Sequence, residues 1–345
     1  MAYKVVATPF GRVTDTSYPL EHEGLRPLGI TIETADVSSD EAYLESIRDA
    51  DAVIAGGKWL NGDVLNKLER CKVIANGGVG VDRIDLDAAT ERGIVVTNVP
   101  DVFVEEVAVH AMMLLLACAK KVINLDRAVR ENRWGEARGY LKPMPRVVGD
   151  TLGLIPFGNI PRLVAKKAKG FDMHVIAWDP FVDDAVFAEH GVERVTDLAE
   201  IFKRSDWVSG HLPLNQHTKG MLNYELFSQM KPTGYFINTG RGPTHNEADL
   251  IRALQEGKMA GAGLDVMEEE PTRPDNPLHS MENVVLTPHT ASVSDIGNVR
   301  RRQRVGHEIA AVLQGEMPFS VVNREVLNVV TLKESSQQTS PLPRV

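Results

Sequence analysis

The sequence predicts an α/β protein with two doubly wound parallel-sheet domains. Three observations predict it. Short apolar runs alternate with helix-like segments: KVVATP, ADAVIAG, CKVIANG and GIVVTNVP before Pro100, then TLGLIPF, MHVIAW, DWVSGHLP, GYFINTG, AGAGLDV and NVVLTP after Gly149. Such alternation is the pattern of parallel sheets whose strands are buried on both faces. The runs form two groups, and between them Glu105 to Arg133 reads as one long bridging helix. Finally, Val148 to Pro180 reads as strand, tight loop, helix, second strand and terminal acidic residue, the outline of a dinucleotide-binding βαβ unit.

A further helix over about Asp295 to Gln314 and a last run, FSVVN, return the chain to the first group. The expected domains are residues 1–102 with 291–328, and residues 103–290, followed by a polar, proline-containing mobile tail over 329–345.

With 345 residues and 43% hydrophobic content the chain can bury a large core, and its length suits two domains. A formal net charge of −9 argues against nucleic-acid or anionic-membrane partners and for small-molecule chemistry. The run Arg300-Arg301-Arg302-Gln303-Arg304 has no aromatic interleaving and reads as a solvated helix face. No apolar stretch reaches membrane-spanning length and MAYKVVATPF goes straight into a strand-like run, so a cytoplasmic protein is expected. Cys71 and Cys118 sit in apolar sequence without C-x-x-C spacing and read as core thiols. His211 and His217 read as loop polarity, and no metal is expected.

In the βαβ outline the loop should be G-x-G-x-x-G, and here it is Pro156-Phe157-Gly158-Asn159-Ile160-Pro161. Gly158 keeps the close backbone approach to a pyrophosphate. The prolines each remove an N–H and bias Ile155 and Ile160 away from α geometry, although Pro161 is tolerated if it opens the helix. A lost charge-assisted hydrogen bond is worth roughly 1.5–3 kcal/mol, or about ten- to a hundredfold in affinity. Asp179, 21 residues after Gly158, stands where a carboxylate would meet a ribose 2′-hydroxyl and repel a 2′-phosphate, which favours NAD over NADP. An Asp-Pro after a strand is also an ordinary turn.

Three later segments carry a polar residue just beyond an apolar run: FINTGRGPTHNEADL with Arg241, LDVMEEEP with Asp265 and Glu270, and VVLTPHTAS with His289. That is the ligand-binding end of a doubly wound sheet. An arginine there can clamp a carboxylate bidentately, and a histidine beside a carboxylate can exchange a proton with a carbonyl or hydroxyl oxygen. From spacing alone the same residues also read as a solvated glutamate run, a loop histidine and a structural ion-pair arginine.

At these residues the chain resembles the D-2-hydroxyacid dehydrogenase family over about residues 40–325. The motifs NGGVGVDRIDLDAATERGIVVTNVP, SDWVSGHLPLNQHTKGMLN, MKPTGYFINTGRG, AGAGLDVMEEEP and VVLTPHTAS occur in order. The resemblance implies a discontinuous flavodoxin-like substrate domain and a Rossmann NAD-binding domain. It implies a homodimer built on the long helix, and reversible reduction of a 2-oxo acid to a D-2-hydroxy acid with NADH. Carried over by motif, Arg241 is similar to the substrate-binding arginine, Glu270 to the carboxylate paired with the histidine, and His289 to the acid/base. Gly78, Val79 and Gly80 resemble the loop that holds the substrate carboxylate. Gly158, Asn159, Ile160, Asp179, Leu212, Thr239, Gly240 and Asp265 fall on cofactor-binding positions.

The chain departs from the family at Pro156 and Pro161. It also departs at His245-Asn246-Glu247, where the pattern is an apolar residue followed by Asp-Glu, and at Gly56-Gly57-Lys58-Trp59, which lacks the arginine usual in phosphoglycerate dehydrogenases. A phosphorylated substrate is therefore disfavoured, with Lys58 left to meet a second anionic group and Trp59 open to a core role. The altered dinucleotide loop leaves two other functions open: non-redox acid/base or lyase chemistry in the same site, and an NAD-responsive, corepressor-like binding protein.

Overall fold

The computed structural model describes residues 3–9 and 17–335. The chain divides into two compact units, Met1–Phe103 with Ser294–Val345, and Val104–Val293; the sequence placed the junctions at 102/103 and 290/291.

The first unit is a five-stranded sheet of β1 (Val5–Ala7), β2 (Ile32–Thr34), β3 (Ala52–Ala55), β4 (Val73–Asn76) and β5 (Val95–Thr97). All neighbours are parallel in the order β2-β1-β3-β4-β5, the flavodoxin-like winding. Apolar clusters cover both faces, one around Val53, Ile74 and Val96, the other around Val5, Val73 and Val95. Fully burying one such side chain stabilises by about 1.5–3 kcal/mol, so even three-residue strands hold. The helices that follow β2, β3 and β4 begin on side-chain caps: Ser39, Asn61 and Asp85 each accept a backbone N–H.

The helix Asp295–Leu313 returns to this sheet and crosses the helix Pro19–Leu25 backbone to backbone. A Cβ on Gly306 would lie 2.1 Å from the Glu21 carbonyl oxygen, so only glycine allows the approach. The arginine run on this helix is not the solvated face expected. Arg302 grips Glu21 through Nε (2.7 Å) and Nη2 (2.9 Å). Arg304 is 1% exposed, stacked 4.0 Å over Phe319 and 3.3 Å from Asp101. A flat, weakly hydrated guanidinium can be buried when an aromatic face and a carboxylate receive it, and sequence proximity shows neither partner. Residues 329–335, expected in a mobile tail, are packed: Val330 and Leu332 lie against the core, and Lys333 N–H bonds the Gly315 carbonyl. The remainder of that expected tail, 336–345, lies outside the described residues.

The second unit holds seven parallel strands: β6 (Thr151–Ile155), β7 (His174–Ala177), β8 (Glu193–Arg194), β9 (Trp207–Gly210), β10 (Tyr235–Asn238), β11 (Gly261–Leu264) and β12 (Val284–Leu286). Their order is β12-β11-β10-β9-β6-β7-β8. The winding reverses between β6 and β9, and the carboxyl ends of these strands flank the crevice where such sheets bind ligands. Trp207 and Tyr235 stack at 4.7 Å on one face, and Phe202, Phe227 and Phe236 pack on the other.

The expected single helix over 105–133 is broken into Val104–Lys120 and Val122–Arg130, and a further short helix, Trp134–Ala137, follows. The break is at Lys121, which adopts a left-handed conformation (φ 49°). The first piece buries Leu114, Leu115 and Cys118, whereas the second is amphipathic and buries Ala128 alone. Among the described residues no helix is long and apolar enough to cross a membrane.

Candidate active site

The adjacent strands β10, β11 and β12 end in the segments that carry Arg241, Glu270 and His289. Glu270 and His289 meet: His289 Nδ1 lies 2.7 Å from Glu270 Oε2. The other carboxylate oxygen accepts the Met267 N–H at 3.1 Å. Burial pushes the Glu270 carboxyl up, but the hydrogen bond and charge of His289 and the Met267 N–H outweigh it and hold the group below its ordinary value. An ionised carboxylate only accepts, so Nδ1 carries a hydrogen and Nε2 is left for proton exchange. His289 stands in the left-handed region, φ 52°, held by its N–H to the Asp265 carbonyl at 2.8 Å. A non-glycine residue there stores strain that its surroundings must overdetermine.

The Arg241 turn is tied to the same pair. Gly242 lies so close to Met267 that a Cβ would come 1.7 Å from the Met267 carbonyl oxygen. Met267 in turn donates to Glu270 and Glu270 meets His289, so the three polar residues share one short chain of contacts. Within the turn, Thr244 Oγ1 donates to the Arg241 carbonyl at 2.6 Å, and Arg241 Nη1 to the Gly240 carbonyl at 2.8 Å. Glu247 and Glu268 each accept the other's backbone N–H, at 2.9 and 3.0 Å, which ties the segment after the arginine to the segment before Glu270.

Asp265 anchors the histidine segment from below. Its Oδ1 accepts the Thr287 hydroxyl (2.6 Å) and Thr290 N–H (2.9 Å), and its Oδ2 accepts Ala291 N–H (2.8 Å). Thr287 spends its one hydrogen on Asp265, so at 2.9 Å it accepts from His110 Nε2. Burial pushes the Asp265 carboxyl up, and the bonds from His110, Thr287, Thr290 and Ala291 overcome that and bring it down to about 2. It is an anion at any ordinary pH.

The family model for the NAD-binding domain of D-isomer-specific 2-hydroxyacid dehydrogenases matches residues 112–291. The glyoxylate reductase of Korarchaeum cryptofilum is 39% identical over 293 residues, 84% of this chain and 88% of that protein. This chain belongs to the D-isomer-specific 2-hydroxyacid dehydrogenase family. Among solved structures, the apo D-mandelate dehydrogenase of Rhodotorula graminis matches with a TM-score of 0.83 at 28% identity, covering 93% of this chain and 98% of that one. The NADPH-dependent glyoxylate/hydroxypyruvate reductase of Sinorhizobium meliloti, solved with NADP and malonate, matches with a TM-score of 0.78 at 28% identity, covering 94% and 98%. The chain is thus an enzyme, a 2-hydroxyacid dehydrogenase that uses a nicotinamide dinucleotide and acts on 2-oxo acids.

The dehydrogenase's own residues fit that cofactor. The helix Asn159–Lys169 begins at Gly158 with no side chain capping its N–H groups, and a Cβ at Gly158 would meet nothing within 4 Å. An uncapped helix N-terminus behind an open glycine has N–H groups that can receive a phosphate. Pro161 does not open this helix, as the sequence suggested, but is its third residue, and Ile160 before it is helical despite the usual bias. The third position has no intrahelical acceptor in any case, so the proline costs a ligand donor rather than a helix bond. Asp179, two residues beyond β7, is 8% exposed; its Oδ2 accepts Phe157 N–H (3.0 Å) and its Oδ1 accepts Phe181 N–H (2.9 Å). It therefore braces the loop, and a carboxylate's four acceptor sites leave room for a hydroxyl as well. Leu212 and Thr239 are buried at 4% and 7% exposure beyond β9 and β10, with Gly240 packed against the His211 backbone. His211 is not mere loop polarity: its ring bridges Ser209 (2.9 Å) and Thr239 (3.0 Å).

In the first unit, the loop Gly78-Val79-Gly80 has its carbonyls turned inward. Asn76 Nδ2 bonds the carbonyls of Gly78 and Gly80, and Asn98 Nδ2 bonds that of Val79. Lys58 is paired with Asp40 at 2.8 Å, and Trp59 is 62% exposed, so it is not core. Arg83 lies over the Trp59 ring at 5.9 Å and donates to the Gly57 carbonyl at 2.5 Å.

Sequence reasoning did not single out His110, Thr287 or Asn238. His110 is 177 residues from Thr287, and a histidine in an apolar helix carries no mark of its partner. Thr287 stands two residues before His289 at a strand end, a spacing that offered a signal.

Proposed function

We propose that the enzyme reduces a 2-oxo acid to the D-2-hydroxy acid with NADH, with Arg241 binding the substrate carboxylate and His289, paired with Glu270, supplying the proton. The observation that carries this reading is the 2.7 Å Glu270–His289 contact, joined through Met267 to the Arg241 turn. When bound, a reduced nicotinamide would supply hydride to the carbonyl carbon. The guanidinium neutralises and orients the carboxylate, and can do so with two parallel N–H bonds. His289 gives its Nε2 proton to the carbonyl oxygen as that oxygen gains electron density, and Glu270 stabilises and orients the ring. In the first unit, the backbone N–H groups of Gly78-Val79-Gly80 are donors suited to a carboxylate. Gly158, Asn159 and Ile160 offer backbone to the pyrophosphate, and Asp179 takes the ribose hydroxyls and disfavours a 2′-phosphate. Leu212, Thr239, Gly240 and Asp265 line the nicotinamide end.

Titration with NADH and the glyoxylate-dependent loss of NADH absorbance test the reading directly. Micromolar binding and turnover are expected. Pro161→Ala restores one N–H at the helix terminus and should tighten NADH by up to about tenfold. A protein that neither binds nor oxidises NADH, with or without that substitution, would sink the reading.

We also infer a homodimer in solution. Val109 (55%) and Met113 (39%) are exposed one turn apart on the helix Val104–Lys120, and Val122, Ile123 and Trp134 are exposed in the segments that follow it, at 47%, 47% and 65%. Several large apolar side chains exposed along one stretch of chain suit an association surface. Light scattering should give about twice the 37.9 kDa chain mass, and Met113→Glu should lower it toward one chain. A single-chain mass for the unaltered protein would refute this.

A further inference from the structure

Asn238 and His245 lie fully buried beneath the Arg241 turn. The neighbours of Asn238 fix its amide without ambiguity: Oδ1 accepts Gly240 N–H at 2.9 Å, and Nδ2 donates to the Arg241 carbonyl at 3.3 Å. The second Nδ2 hydrogen is then aimed at His245 Nδ1, 3.0 Å away. An amide N–H can be met there only by an unprotonated ring nitrogen. Burial pushes the imidazole down to about 4, so the ring is neutral and its one hydrogen sits on Nε2. Nε2 is buried and meets no hydrogen-bond acceptor among the described residues. A buried donor without an acceptor is costly, and an apolar side chain, the family's pattern at this position, would avoid the cost. What the histidine provides that an apolar residue cannot is the acceptor for Asn238.

We propose that His245 is a positioning residue for the Arg241 turn: its Nδ1 is the third anchor of the Asn238 amide, fixing the rotation that lets Asn238 grip the Gly240 N–H and the Arg241 carbonyl together. The peptide group before Gly240 and the one after the Arg241 Cα are held from below by one side chain, and His245 keeps that side chain from rotating. The direction in which the Arg241 guanidinium leaves the backbone is set by this bracing. The proposal rests on the reading of Arg241 as the carboxylate ligand. His245 itself is fully buried and acts through Asn238.

Steady-state kinetics with glyoxylate and NADH on full-length His245→Leu and His245→Asn test it. Leucine fills the space without an acceptor, and asparagine puts an amide oxygen near the place of Nδ1. In His245→Leu the KM for glyoxylate should rise about three- to tenfold, the loss of one neutral hydrogen bond, with the KM for NADH changed less than about twofold and Tm not lowered. His245→Asn should recover the glyoxylate KM to within about twofold of wild type. A glyoxylate KM unmoved by His245→Leu overturns the proposal, and so does a parallel rise in both KM values with a fall in Tm, which marks a general packing role. Arg241→Met is measured alongside. If it raises the glyoxylate KM and His245→Leu does not, the present proposal alone falls; if neither does, the reading of Arg241 falls and takes this one with it. Should His245→Leu not fold, long-range ¹H–¹⁵N correlation spectra of the labelled wild-type enzyme decide. A neutral ring protonated on Nε2 supports the proposal, and a ring protonated on Nδ1 overturns it.

Discussion

His289→Asn is expected to lower kcat for glyoxylate reduction by about 10²–10⁴-fold, the range for removing a positioned acid/base, while NADH affinity stays within about threefold. Asparagine is the informative replacement because the position is left-handed, φ 52°, a conformation asparagine adopts with little strain. The backbone bond from residue 289 to the Asp265 carbonyl is therefore retained, and the Asp265 contacts to Thr287, Thr290 and Ala291 do not involve the lost ring. The fold around the site should be unchanged, so a fall in kcat reports proton transfer rather than collapse. Glu270 keeps its bond from the Met267 N–H. Steady-state rates read beside NADH fluorescence titration make the distinction, and a variant that keeps more than about a tenth of wild-type kcat removes His289 from the acid/base role.

Much of this architecture was legible because parallel strands buried on both faces leave uninterrupted apolar runs, such as LGLI in β6 and YFI in β10. Arg241, Glu270 and His289 were visible as candidates because each lies just beyond such a run, at the carboxyl ends of the strands where ligands bind. The break at Lys121 was not legible. Lysine is a good helix former, and nothing local announces a left-handed residue whose cause is the different burial of the segments on either side. The arginine run was misread because ion-pair partners such as Glu21 lie 281 residues away in the chain. Composition shows charges and not who receives them. Pro161 was weighed as a helix opener, whereas its place as third residue depends on where Gly158 leaves the strand, a matter of one or two residues that pattern cannot resolve. The buried polar contacts of Asp265 and His245 were invisible for a related reason. Polar groups inside a core are bought by specific partners, and those partners are chosen by the fold.

Gly242→Ala should be nearly as damaging as the loss of the histidine, although residue 242 has no chemistry of its own. The added methyl would stand 1.7 Å from the Met267 carbonyl oxygen and 2.1 Å from its carbon, backbone atoms that cannot rotate aside. Either the Arg241 turn or the Met267 segment has to move, by a distance on the order of 1 Å, and such a displacement of a catalytic group typically costs about 10²-fold. The two choices are equally harmful. On the proposed reading, shifting the turn carries Arg241 away from the substrate carboxylate, and shifting Met267 withdraws the N–H that fixes Glu270 Oε1 and turns the carboxylate away from His289. The expected result is a fall in kcat/KM for glyoxylate of about 10²-fold, with a moderate loss of stability of about 1–3 kcal/mol from overpacking. Gly139→Ala is the matching control, because a Cβ there would meet nothing within 4 Å. If Gly242→Ala keeps kcat/KM within about threefold of that control, the close approach to Met267 does not set the geometry between Arg241 and the Glu270–His289 pair.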